Sequence, residues 1–154
     1  MSLSKNFQRR FVTLANELDE KSKSQRAKTI GISNTTYSNA YNYGIVPKTS
    51  SLIRIADYFN ISVDYLIANT DDEYFEKSLH PVPFKERLIE LQKAKDISTV
   101  YELSQLIHIH RNNIAQWIKL NCIPLIDDLI IIADFFHVSI DYLLGRTDDK
   151  KSYQ

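Results

Sequence analysis

An all-α fold of two tandem helical domains is predicted by three observations. Apolar residues recur at helical spacing, no stretch alternates at period two, and the chain matches itself at an offset of 77 residues. That offset pairs Ile55-Ala-Asp-Tyr-Phe-Asn-Ile-Ser-Val-Asp-Tyr-Leu66 with Ile132-Ala-Asp-Phe-Phe-His-Val-Ser-Ile-Asp-Tyr-Leu143. Without a gap it also pairs Thr70-Asp71-Asp72 with Thr147-Asp148-Asp149, Pro47 with Pro124, Ile30 and Ile32 with Ile107 and Ile109, Leu14 with Leu91, and Phe7 with Phe84. A unit that occurs twice reads as two domains rather than a solenoid, which needs three or more stacked repeats. The expected division is a first domain over 1–72, a connector over 73–83 carrying Pro81 and Pro83, a second domain over 84–149, and a tail over 150–154.

Within copy one, Phe7, Phe11, Leu14 and Leu18 step by four, three and four residues, which puts one apolar stripe on a first helix; Phe84, Leu88 and Leu91 repeat it in copy two. Four shorter helices are expected next: Lys23 to Ile30, Ser33 to Tyr43 with Ser33 as N-cap, Ser50 to Phe59 capped by Ser50, and Ser62 to Ile67 capped by Ser62. Copy two gives the same series, with Asp127 and Ser139 as the matching caps. Gly31 falls between the second and third helices, where a short turn needs positive φ. His108 takes that slot in copy two, and Asn121 takes the slot of Gly44; both residue types tolerate left-handed backbone.

Composition narrows the function classes. In 154 residues, 44% are hydrophobic and 25% charged, near the soluble average, so neither wholesale disorder nor a fibre is expected. The most apolar stretch, around Leu129 to Ala133, is interrupted by Asp127, Asp128 and Asp134, far short of the roughly 20 residues a bilayer demands. The N-terminus has basic residues but no apolar segment after them, so it is no secretory signal, and a cytoplasmic location is expected. The single Cys122 excludes an internal disulfide, and four scattered histidines make no zinc framework, so neither metal nor cofactor is expected. There is no glycine-rich phosphate loop and no nucleophile elbow, so catalysis is not expected.

Lys+Arg and Asp+Glu balance at 19 each, yet the distribution is uneven. Between Lys21 and Ala56 there is no acid, while Lys21, Lys23, Arg26, Lys28, Lys48 and Arg54 fall inside that window. A neutral total thus conceals a basic segment of the kind that meets nucleic-acid phosphates.

The two copies together resemble the lambda-repressor-like (Cro-type) helix-turn-helix family of bacterial and phage transcription regulators. The residues carrying the resemblance are Ala27, Ile30-Gly31-Ile32-Ser33 and Tyr37, then Pro47, Leu52 and the run Ile55 to Leu66. In copy two they are Glu102-Leu103-Ser104, Ile107, Ile109, Ile114, Trp117 and the stretch from Pro124 to Gly145. The resemblance implies two five-helix bundles, each presenting its third helix to the major groove of double-stranded DNA, and a repressor as the function. It places base reading in copy one at Asn34, Thr35, Thr36 and Asn39, with Lys23, Lys28 and Lys48 near phosphates. The corresponding set in copy two is Arg111, Asn112, Asn113 and Gln116, with Lys119 nearby.

The copies also depart from each other. Arg26 stands where copy two has the apolar Leu103, so a looser second helix is expected in copy one. Copy two begins its second helix with Thr99-Val100-Tyr101 and adds Glu102. At the slots of Lys48, Thr49 and Arg54 it has Leu125, Ile126 and Ile131, which predicts either a homodimer surface or burial within copy two. Trp117 reads as a packing residue, Tyr65 and Tyr142 as core, and Asp57 and Asp134 as fold-stabilising. His108 and His110 read as structural or solvated, and Asp71-Asp72 and Asp148-Asp149 as chain-end or linker residues rather than an acid/base pair. Two functions stay open: a sequence-specific DNA-binding regulator using one or both copies, and a protein-interaction module in which DNA contact has been lost.

Overall fold

The computed structural model describes residues 2–153; Met1 and Gln154, the outer ends of the 1–72 and 150–154 assignments, lie outside the described residues. The described chain is all-α, with ten helices in two compact units divided between Phe75 and Glu76, a point inside the expected connector.

The first unit contains α1 (Lys5–Asn16), α2 (Lys23–Ile30), α3 (Asn34–Tyr43), α4 (Thr49–Phe59) and α5 (Val63–Leu66). The second contains α6 (Phe84–Ala94), α7 (Val100–Ile107), α8 (Arg111–Leu120), α9 (Ile126–Phe136) and α10 (Ile140–Leu143). The bounds of α7 to α10 are those of α2 to α5 moved on by 77 positions.

Serine caps account for several of these starts. Ser4, Ser22, Ser33 and Ser62 each accept a hydrogen bond from the backbone amide three residues on, as do Thr99 and Ser139. Two expected caps are displaced. Helix α4 begins at Thr49 with Lys48 as N-cap, and α9 begins at Ile126 with Leu125 as N-cap, neither with a side-chain cap bond. Ser50 and Asp127 therefore lie inside the first turn, where Asp127 still complements the helix dipole. Leu18, the last residue of the expected apolar stripe, falls beyond the end of α1.

Against the expectation of no strands, β1 (Ser2–Leu3) and β2 (Ile45–Val46) pair antiparallel, Leu3 opposite Ile45. Two residues per strand are too short to register as alternation. The ladder continues where Ser4 N donates to Gly44 O at 2.8 Å, and Gly44, at φ 68°, sits so close that a Cβ there would lie 2.7 Å from Ser4 O.

Each unit buries its own core. In the first, Phe7, Phe11, Tyr37 and Ala40 are fully buried, with Phe11 edge-on to Tyr37 at 5.4 Å between centroids. The matching slots in the second hold Phe84, Leu88, Ile114 and Trp117. The large ring has moved one helical turn along the inner face, from the slot of Tyr37 to that of Ala40, and Trp117 packs edge-on to Phe84 at 6.0 Å, as expected of a packing residue.

A second shared device closes each unit. Arg10 lies 4.1 Å over the Tyr65 ring, donates to the Tyr65 and Thr70 carbonyls, and pairs with Asp71 at 2.6 Å. Arg87 lies 4.1 Å over Tyr142, donates to Thr147 O at 3.3 Å and pairs with Asp148 at 3.0 Å. Asp71 and Asp148 are thus clasps between the first helix of each unit and the chain after its fifth, rather than free linker charges. Tyr142 is buried and Tyr65 half-buried beneath the guanidinium.

Candidate nucleic-acid interface

In the first unit, α2 stops at Gly31, which is left-handed at φ 94°. Ile32 then turns into the core, and Ser33 caps α3. Three residues thereby reverse the chain and leave α3 with Tyr37 and Ala40 facing inward. Its first residues lie at the open end: Asn34 and Thr35 are exposed, while Thr36 and Asn39 are half-buried. Thr36 is already engaged, because its Oγ1 accepts from Ser33 Oγ at 2.9 Å. Lys23, at the start of α2, Lys28, in its last turn, and Lys48, before α4, are all exposed.

Arginines brace this surface. Arg54 on α4 donates to Gly31 O at 3.2 Å and so supports the turn. Arg26 stands in α2 at the slot where the sequence predicts a looser helix, and three acceptors hold it. Its Nε donates to Glu20 O at 2.6 Å and its Nη1 to Asn16 Oδ1 at 3.1 Å and, more weakly, to the Tyr37 hydroxyl at 3.4 Å. The Tyr37 bond raises its already high pKa. The neighbouring Glu20 carboxyl is held below the usual carboxylate range by its own backbone amide first and then by the Thr29 hydroxyl.

The second unit builds the same turn from different residues. His108 is left-handed at φ 57°, Ile109 is buried, and His110 caps α8, its Nδ1 accepting from Asn112 N at 3.1 Å. Both histidines have backbone roles there. Among the described residues no cluster of three or more His, Cys, Asp or Glu is placed to hold a metal. Arg111, Asn112, Asn113, Gln116 and Lys119 are all exposed on α8. An open groove of about 640 Å³ runs along Tyr101, Ser104, Gln105, His108, Ile109, His110 and Arg111.

The two surfaces differ in charge. Residues 21–56 carry six basic side chains and no acid, whereas the matching residues 98–133 carry Arg111 and Lys119 against Glu102, Asp127 and Asp128. Burial, with a smaller contribution from Asp127, raises the pKa of Asp128.

The aliphatic trio divides. Leu125 is 63% exposed and Ile131 41%, but Ile126 is only 6% exposed and belongs to the core of its unit. Its counterpart Thr49 is 2% exposed, so this slot is interior in both units and the polar-to-aliphatic change there is no surface signal. Leu120, at the end of α8 and 67% exposed, and Ile123, in the loop to α9 and 43% exposed, join Leu125 as exposed aliphatics that comparison of the two copies does not single out. They become visible only once the inward face of α8 is known.

No family model matches the chain, and no solved structure matches it. Over 64 residues it is 36% identical to a Bacillus subtilis (strain 168) protein described as an uncharacterized HTH-type transcriptional regulator, YobD. The match covers 42% of this chain and 56% of that protein, so the chain is matched to about half the length of this curated relative. Among the described residues no helix is long and apolar enough to cross a membrane.

Proposed function

We propose that the chain is a sequence-specific double-stranded DNA-binding regulator rather than an enzyme. In this reading it is a tandem duplication of a lambda-repressor-like helix-turn-helix domain, and the first unit is the principal reader. The observation that carries this is the open end of α3, with Asn34 and Thr35 exposed, inside a window of six basic residues and no acid. The exposed Asn34 amide suits the paired donor and acceptor of adenine, and Lys23, Lys28 and Lys48 suit flanking phosphates. Thr36 and Asn39 complete the proposed reading set. The partial likeness to a protein named as an HTH-type regulator supports the same direction.

Selection from random-sequence duplexes, followed by gel shifts at two salt concentrations, tests the reading. One enriched sequence is expected, with a log–log salt slope of about −3 or steeper for three phosphate-bound lysines. No enriched sequence, or binding insensitive to salt, would overturn it.

The second unit has its own candidate reading set, Arg111, Asn112, Asn113, Gln116 and Lys119, but a window with more acids than bases. Its exposed Leu125 and Ile131 favour a different role, pairing with a second copy of the chain. A two-fold contact must be self-complementary, and this stretch carries bases on α8 and acids on α7 and α9 around its aliphatics. Replacing Leu125 by Lys and Ile131 by Arg, close to the first unit's own residues, removes apolar surface without touching the core. The dimer is expected to weaken by roughly 1.5–3 kcal/mol, or 10- to 150-fold in Kd. Light scattering reads the outcome: a monomeric wild type, or a folded variant with unchanged dimer affinity, refutes pairing through this surface.

A further inference from the structure

Helix α3 is fastened differently from its counterpart α8. Tyr37 and Tyr41 stack at 5.6 Å on α3, and the Tyr41 hydroxyl donates to Asn16 Oδ1 at 2.8 Å. The same Asn16 oxygen accepts from Arg26, whose guanidinium also reaches Glu20 O and the buried Tyr37 hydroxyl. A single planar side chain on α2 therefore spans the end of α1, the loop before α2, and α3. In the second unit the slots of Arg26, Tyr37 and Tyr41 hold Leu103, Ile114 and Ile118, of which Leu103 and Ile114 are fully buried. There α8 is seated by Ile114 and the Trp117 ring, with Leu103 in the place of the guanidinium.

We propose that Arg26 is a positioning residue for base reading by α3, acting through Asn16 and Tyr37 rather than by touching DNA. This rests on the reading of the first unit as the DNA-binding half. A flat guanidinium holds several acceptors in fixed directions, whereas a lysine ammonium is a point charge on a flexible stem. Arg26→Lys thus keeps the charge and removes the brace. Asn16→Ala removes the shared acceptor from an exposed position at the end of α1 and changes no charge.

The experiment compares both variants with wild type in three readouts: affinity for the selected site relative to random DNA, the salt slope, and hydrogen exchange of the α3 amides without DNA. Each variant is expected to lose roughly three- to tenfold in selectivity, with an unchanged slope and faster exchange in α3. The proposal is overturned if both variants keep wild-type selectivity and exchange. It is also overturned if Arg26→Lys behaves as wild type while Arg26→Leu flattens the slope by about 1, which would make Arg26 a phosphate contact. A wild-type protein that selects no sequence defeats the DNA-binding reading itself; the brace on α3 then stands or falls on the exchange data alone.

Discussion

Replacing Gly145 by alanine is expected to unfold the second unit and leave the first folded. Gly145 follows α10 at φ 72°, and a Cβ built there would lie 2.0 Å from Val82 O and 2.9 Å from Val82 N. The left-handed conformation alone costs an L-residue about 1–2 kcal/mol. The larger part is the overlap with backbone, which has no rotamer by which to escape. A total loss of at least about 4 kcal/mol is expected, a large share of the stability of a small unit. Trp117, the single tryptophan, is buried in the second unit, so its fluorescence follows that unit during urea unfolding while circular dichroism follows both. Gly31→Ala is the matched control. Its φ is 94°, but a Cβ there meets nothing within 4 Å, so it should cost only about 1–2 kcal/mol and leave the Trp117 midpoint in place. A wild-type Trp117 midpoint in Gly145→Ala would show that Val82 moves aside at little cost.

On the proposed function, Asn34→Ala combined with Asn39→Ala is expected to abolish most sequence discrimination. Each bidentate contact from an amide to adenine is worth about 1–3 kcal/mol, so the pair should weaken the selected complex by roughly 30- to 10⁴-fold. Neither residue is charged, so affinity for random DNA and the salt slope should hold. The equivalent changes on α8, Arg111→Ala with Gln116→Ala, are expected to matter less, because the acids around that helix oppose phosphate approach. A greater loss from the α8 pair than from the α3 pair would reverse the assignment of the reading unit.

Legibility in the sequence followed the range of the interactions concerned. Helices α2, α3, α7 and α8 lie close to the bounds expected from capping signals and the repeat, and the left-handed turns fall on Gly31, Gly44, His108 and Asn121. These features depend on residues within one or two turns of each other. The caps of α4 and α9 went astray by two positions because Ser50 and Asp127 are good capping residues in the wrong backbone conformation. Choosing between adjacent starts depends on what the first turn buries, and Thr49 and Ile126 are interior.

The clasps Arg10–Asp71 and Arg87–Asp148 were present in the sequence as residues at the repeat offset, yet single charged positions 61 residues apart carry no periodic signal. They become readable only when the fifth helix returns beside the first. Arg26 illustrates the same limit in the opposite sense: beside Leu103 it looks like a defect in an apolar face, whereas tertiary contacts make it a brace. The sequence by itself determined the helical class, the repeat at 77 residues, the turn before α3 and the acid-free basic window, because each is written in local spacing or composition. Only the tertiary structure decided that Ile126 is core while Leu125 and Ile131 are surface, since burial depends on which neighbours arrive from distant parts of the chain.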